Sequence, residues 1–362
     1  MSANDNFVGT RPVSEAHQFD VNALQTWLEQ NMPGFAGPLS VEMFKGGQSN
    51  PTFKLITPSA SYVMRAKPGP VAKLLPSAHA VEREFAVMRG LYGTSVPVAK
   101  MHVLCEDESV IGRAFYVMEF VQGRVLWDQS LPDMTKAQRR DIYNEMNRVI
   151  AALHTVPYAE RGLENFGKPG NYFERQIGRW SKQYIASITQ PIPEMDKLMA
   201  WLPANMPASA RDGRTSIVHG DYRLDNMMFH PSEPRVLAVL DWELSTLGDP
   251  LVDFAYHCMV WRMPASSRGL SGVDVAGLGI PDEAHYLNTY LKRTGRTTEV
   301  PAQEWNYYLV FNMFRLVGIL QGIAKRAQQG NASNATAVET GKRARPLAEQ
   351  AWALAQTIHP LR

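Results

Sequence analysis

The stretch SIVHGDYRLDNMMF, residues 216–229, sets a histidine, two aspartates and an asparagine between two short apolar runs. Counting from Asp221, Asn226 stands five residues on, and another aspartate, Asp241, ends the next apolar run, VLAVL. Any one of these is an ordinary turn or cap residue. Together they supply what phosphoryl transfer requires. A carboxylate and an amide offer hard oxygen ligands for Mg²⁺, and a second carboxylate can accept the proton of a hydroxyl nucleophile. A tight hairpin loop between short strands would bring all three to one edge.

The elements that must position this loop can be read along the chain. Asp20 is an N-cap candidate before a helix over about residues 20–31, closed by Pro33 and Gly34. Strand-like runs follow at LSVEMF, PTFKLIT and SYVMRAK, then at VAKMHVLCED and AFYVMEFV. Between them AHAVEREFAVMRGLY reads as a helix with Val81, Phe85, Met88 and Tyr92 on one face. Five strands and one inserted helix make a small lobe over residues 1–121, leading helix included. Residues 122–362 are expected to be mainly helical, interrupted by the strands around Asp221, with residues 326–341 as an exposed loop. The fold class is α+β.

Composition bounds the function. Hydrophobic residues make up 45% and charged residues 20%, ordinary for a soluble globular protein. A net charge of +2 gives no reason to expect nucleic acid as the partner. The two cysteines, Cys105 and Cys258, have no metal-ligand spacing, which suits a cytoplasmic, disulfide-free protein. The first residues lack a basic region followed by an apolar stretch, so no signal peptide is expected. The most apolar window, residues 307–323, is interrupted by Asn312, Arg315 and Gln321 and falls short of the roughly 20 residues of a membrane span. It reads as a buried helix, and no membrane partner is expected.

The spacing H-x-D-x4-N, followed by an apolar strand ending in aspartate, matches the kinase catalytic loop, which implies that Asp221 orients the acceptor hydroxyl and takes its proton while Asn226 and Asp241 hold Mg²⁺. With GDPLVDFAY, FKGGQSNPTF and YVMRAKPGP, the chain from about residue 20 to 330 resembles the aminoglycoside phosphotransferase and choline kinase group of small-molecule kinases. It is most similar to the branch whose members also occur fused to acyl-CoA dehydrogenase domains. The resemblance implies a protein-kinase-like two-lobe fold with ATP and Mg²⁺ in the cleft. It implies that Gly46, Gly47, Gln48, Ser49 and Asn50 form a loose phosphate loop, and that Arg65 stands where kinases place their phosphate-binding lysine, with Lys67 in reserve. Glu84 rather than Glu82 would be its partner, and the backbone of Glu119, Phe120 and Val121 would meet the adenine edge. Asp253 would brace the catalytic loop, Asp249 would cap its helix, and His219 would anchor the loop rather than act as a base.

Only seven residues separate Asp241 from Asp249, too few for an activation segment, and the loop reads H-G-D without the arginine of protein kinases. A small-molecule alcohol is therefore the expected acceptor. Between Glu304 and Arg345 six basic residues (Arg315, Lys325, Arg326, Lys342, Arg343, Arg345) face two acidic ones, which favours an anionic acceptor such as a hydroxyacyl-CoA. Arg315, within an apolar run, should either pair with an internal carboxylate or face the cleft to meet an anion. Two alternatives remain: a nucleotide-binding chain without turnover, and an aminoglycoside-type antibiotic kinase. The intact Asp221, Asn226 and Asp241 weigh against the first, and the missing acidic wall against the second.

Overall fold

The structure, a computed structural model, describes residues 9–45, 50–68, 80–211, 214–330 and 337–358. The N-terminal lobe is one antiparallel sheet. Its strands are β1 (Thr10–Arg11), β2 (Ser40–Phe44), β3 (Thr52–Ile56), β4 (Ser61–Ala66), β5 (Met101–Cys105) and β6 (Phe115–Glu119), in the order β1-β2-β3-β4-β6-β5. The five strands read from the sequence are all present; β1 is a sixth. It is two residues long and pairs only with Met43 and Phe44, so no alternating pattern could announce it.

Alternation along β6 shows how the lobe is layered. Phe115 and Val117 join Leu24 and Leu28 of α1 (Val21–Asn31) in one core, while Tyr116 between them joins α2 (Val81–Leu91) in the other. Asp20 caps α1, its carboxylate accepting from the backbone N–H groups of Asn22 and Ala23. The buried face of α2 differs from the one expected: it carries Val81, Glu84, Val87, Met88 and Leu91, and Tyr92 is exposed. A glutamate on the inward face of a helix needs a partner, and this one has several.

After β7 (Arg124–Val125) the chain is mainly helical, with α3 (Lys136–His154), α4 (Tyr172–Ser187) and α5 (Pro193–Ala204). Then come β8 (Ser216–Val218), β9 (Met227–Phe229), β10 (Val236–Val239) and β11 (Thr246–Gly248), and the helices α6 (Pro250–Cys258), α7 (Val275–Leu278), α8 (Glu283–Arg293), α9 (Ala302–Gln328), α10 (Ala337–Lys342) and α11 (Ala344–Gln356). The strands flanking the Asp221 loop do not pair with each other, so the loop is not the hairpin expected. β8 pairs with β11, and β9 pairs with β10 and β7. The loop thus bridges two separate small sheets and is fixed from both sides. Residues 337–341 lie in α10, so the expected loop over 326–341 is at least partly helical.

Helix α9 is apolar enough to span a membrane, yet 78% of its most hydrophobic stretch is buried inside the protein. Its three polar interruptions each tie it to a neighbour. Asn312 donates to the Val252 carbonyl of α6 at 2.9 Å, Gln321 to the Thr189 hydroxyl at 2.6 Å, and Arg315 to the Gly220 carbonyl at 2.5 Å. Such bonds are what make a polar group tolerable at depth.

Candidate active site

Three features fix the loop that carries Asp221. The Asp253 carboxylate on α6 accepts the backbone N–H of His219 at 2.7 Å and of Gly220 at 2.8 Å, and His154 adds a contact at 3.2 Å. Burial alone would raise the Asp253 pKa, but the His154 hydrogen bond and the backbone N–H of His219 outweigh it and lower it. His219 is a strut. Its Nδ1 accepts from the N–H of Asp221 at 3.2 Å, which leaves Nε2–H to donate to the Leu240 carbonyl at 2.8 Å, next to Asp241. Gly220 has φ 82°, and a Cβ there would sit 2.9 Å from the Leu244 carbonyl, so glycine alone fits. Asp249 caps α6 through bonds to the N–H groups of Leu251 and Val252, with Pro250 at the first helical position.

Within this frame the carboxylate and amide groups converge. Asn226 donates to the Asp221 carbonyl at 2.8 Å and to Asp221 Oδ2 at 3.0 Å, which spends its Nδ2 and leaves Oδ1 as an oxygen ligand. Asp241 has φ 64° and ψ 63°, a left-handed conformation uncommon outside glycine. Arg65 of β4 reaches across from the N-terminal lobe. Its Nη2 lies 3.0 Å from Asp241 and 3.3 Å from Glu243, and its Nε 3.3 Å from Glu84. Burial works against the Arg65 charge, but Glu84, Tyr116, Asp241 and Glu243 more than offset it and raise its pKa above the ordinary value. Glu84 is in turn held by Asn50 at 2.8 Å and by the Tyr116 hydroxyl at 3.0 Å. Lys67 pairs with Glu82 at 3.1 Å, away from this cluster.

A cavity of about 330 Å³ opens between the lobes. Arg65, Glu84, Asn226 and Asp241 line one end; Glu119, Phe120 and Val121 line another, and the space between is apolar, with Val63, Met118 and Met228 in its walls. The donor set suits Mg·ATP: two oxygen ligands for a hard cation beside a guanidinium for phosphate, and an apolar slot beside exposed backbone for a base.

Several expectations need correction. Gly46, Gly47, Gln48 and Ser49 lie outside the described residues, and Asn50 places its amide on Glu84, behind the cavity. Arg315 has no carboxylate partner among the described residues: it donates to Gly220 and lies 4.9 Å from the Tyr256 ring and 5.5 Å from that of Trp180. The basic face expected from residues 304–345 is dispersed. Lys325 bonds the Ala186 carbonyl, Lys342 pairs with Glu339, and Arg345 bonds the Pro191 carbonyl. Arg343 alone of these lines a cavity beside the catalytic loop. Trp305, Tyr307 and Tyr308 are buried in the core, as is most of α9.

Residues missed by sequence reasoning are Arg223, Glu243 and Tyr256. Arg223 pairs with Asp221 at 2.9 Å and Asp225 at 3.4 Å, and the Tyr256 hydroxyl donates to Asp221 Oδ1 at 2.5 Å. The available signal was Tyr256 standing one turn beyond Asp253 on the same helix.

Comparison with known proteins agrees with this architecture. Residues 40–288 match the phosphotransferase enzyme family. Acyl-CoA dehydrogenase family member 10 of Mus musculus is 44% identical over 95% of this chain; the chain spans about a third of that relative, 32% of its length. A crystal structure from Ralstonia eutropha JMP134, of a protein named as a candidate aminoglycoside phosphotransferase, is 62% identical with a TM-score of 0.87, covering 94% of this chain and 100% of that one. Choline kinase from Cryptosporidium parvum, at 12% identity, shares the fold with a TM-score of 0.65 over 94% of this chain and 98% of its own. With a kinase-like fold and a family match across both lobes, the chain belongs to the phosphotransferase enzyme family.

Proposed function

We propose that the protein transfers the γ-phosphoryl group of ATP, with Mg²⁺, to the hydroxyl of a small anionic alcohol. The observation that carries this reading is the convergence of Asn226, Asp241 and Arg65 in the wall of the interlobe cavity, with the Asp221 carboxylate bonded to Asn226. Asp221 orients the acceptor hydroxyl and takes its proton. Asn226 Oδ1 and the Asp241 carboxylate would hold the metal, which would neutralise phosphate charge when bound. Arg65, kept in place by Glu84, binds phosphate oxygens, and the backbone at Glu119, Phe120 and Val121 meets the base.

The acceptor's charge is argued from a second cavity, of about 360 Å³, which shares Trp127 and Asp225 with the first. Arg223, Arg268 and Arg343 line it against one carboxylate, Asp225. Arg343 Nε is buried with no partner among the described residues, and burial together with the neighbouring Arg268 lowers its pKa. Such an excess of positive charge favours an anion and disfavours a choline-like or aminoglycoside cation. Apolar walls from Met259, Met263, Leu316 and Leu320 suit an aliphatic body. The acyl-CoA dehydrogenase name of the mouse relative makes hydroxyacyl-CoA thioesters the first anionic alcohols to test.

The test is ATP-dependent phosphate incorporation across a panel of anionic, neutral and cationic alcohols. The best acceptor should be anionic; a neutral or cationic one would overturn that part of the reading. On the best acceptor, Asp221→Asn should lower kcat by about 10² to 10⁴-fold while nucleotide still binds. Near-normal kcat in that variant would remove Asp221 from the chemistry.

A further inference from the structure

The Asp221 carboxylate already carries three donors. Among the described residues, Oδ1 accepts from the Tyr256 hydroxyl at 2.5 Å and from Arg223 Nε at 2.9 Å, and Oδ2 from Asn226 Nδ2 at 3.0 Å. A carboxylate oxygen has two lone pairs in its plane, so Oδ1 is filled and Oδ2 has one position left. Tyr256 is itself held. The residue is 9% exposed, and the Arg315 guanidinium lies 4.9 Å from its ring centroid while donating to the Gly220 carbonyl, next to Asp221 in sequence. One buried arginine therefore steadies both the backbone that carries the carboxylate and the phenol that orients it.

We propose that Tyr256 is a positioning residue for the phosphotransfer, set by Arg315. It fixes the Asp221 carboxylate so that Oδ1 is the holding oxygen and Oδ2 meets the acceptor hydroxyl. The proposal rests on the reading of Asp221 as the hydroxyl-binding carboxylate. On that reading the proton leaves the acceptor oxygen for Oδ2 as that oxygen bonds to the transferred phosphorus and the nucleoside diphosphate departs. Tyr256 keeps its own proton throughout, and burial, with the Asp221 charge beside it, raises the phenol's pKa above the ordinary value.

The sign of one substitution decides the matter. Tyr256→Phe removes a single oxygen and leaves the ring under Arg315. If Tyr256 positions Asp221, kcat should fall about ten- to a hundredfold, the cost of one hydrogen bond to a charged group, with nucleotide KM and melting temperature little changed. If instead the acceptor displaces the phenol from Oδ1, the same variant would hold or raise kcat and lower the acceptor KM, and the proposal fails. The double variant gives the second readout. In an Asp221→Asn background, Tyr256→Phe should have no further effect on the residual rate, because the two act as a unit. An equal loss in both backgrounds marks Tyr256 as merely structural and overturns the proposal. If Asp221→Asn alone leaves kcat intact, the underlying reading of Asp221 has failed instead. Arg315→Lys, which keeps a cation for Gly220 but not the guanidinium over the Tyr256 ring, should lower kcat about two- to tenfold without moving nucleotide KM. A kcat equal to that of the unsubstituted protein would remove Arg315 from the proposal.

Discussion

Replacing Asp253 by asparagine tests how the catalytic loop is held. The two side chains have nearly the same shape, so the cost comes from hydrogen bonding. Asp253 Oδ1 accepts from Gly220, and Oδ2 accepts from His219 and faces His154. Asparagine has one oxygen. Whichever way its amide turns, an NH₂ group meets a buried backbone N–H and leaves it without an acceptor, at a cost of about 1–3 kcal/mol. The remaining bonds lose their charge assistance, about 1 kcal/mol each. The total is about 3–4 kcal/mol. An unfolding entropy of about 2.1 cal/mol/K per residue, over 362 residues, turns this into a melting-temperature drop of roughly 5 °C. Turnover should fall by about a hundredfold, because a loop displaced by an ångström no longer aligns its carboxylate. Asp249→Asn is the internal comparison. Both of its capping bonds go to Oδ1, which asparagine retains, so its shift should be smaller. Scanning calorimetry and steady-state phosphotransfer measure both effects. A melting temperature within 1 °C of the unsubstituted protein, with unchanged turnover, would refute the bracing role.

Two further outcomes are expected. Arg65→Lys gives one nitrogen where the guanidinium spans Glu84, Asp241 and Glu243, so Mg·ATP should bind about tenfold more weakly; calorimetric titration measures this, and unchanged affinity would exclude Arg65 from the phosphate site. Burial lowers the pKa of His257 from 6.5 to about 4 in the folded protein. The unfolded chain therefore takes up a proton that the folded one refuses, and stability should fall as pH drops from 6.5 towards 4, by about 1.4 kcal/mol per pH unit for this group, levelling off below. Denaturant melts across that range should show a shallower fall in His257→Gln, and an identical slope would exclude His257 as a contributor.

The parts of this protein legible in its sequence were those encoded locally. Asp20, Asp249 and Pro250 mark helix starts because caps act within one turn. The five main strands announce themselves by their apolar and β-branched runs. Glu84 was distinguishable from Glu82 only through resemblance, and the structure supplies the reason: position 84 faces the core and position 82 does not. What escaped was set by distance along the chain. Arg315 meets Gly220 across 95 residues, and no local pattern carries such a pairing. The tally of basic residues from 304 to 345 misled because helical neighbours in sequence point in different directions, and counting cannot tell a shared cavity from scattered surface.

The way the loop is held also bears on how its activity is governed. His219 and Gly220 are fixed by Asp253, Tyr222 by its hydroxyl on the Met146 carbonyl at 2.9 Å, Leu240 by His219, and the Gly220 carbonyl by Arg315. Each of these contacts comes from within the folded core, and none needs a modified residue or a movable segment. The seven residues between Asp241 and Asp249 are spent on a short turn and on β11, which pairs with β8 in front of the loop. A loop ordered in this way has little entropy left to lose when substrate arrives. On the proposed function, discrimination among acceptors resides in the walls of the neighbouring cavity. There Arg223 belongs both to the pair with Asp221 and to the wall, so on that reading an acceptor that draws on Arg223 would also bear on the Asp221 carboxylate.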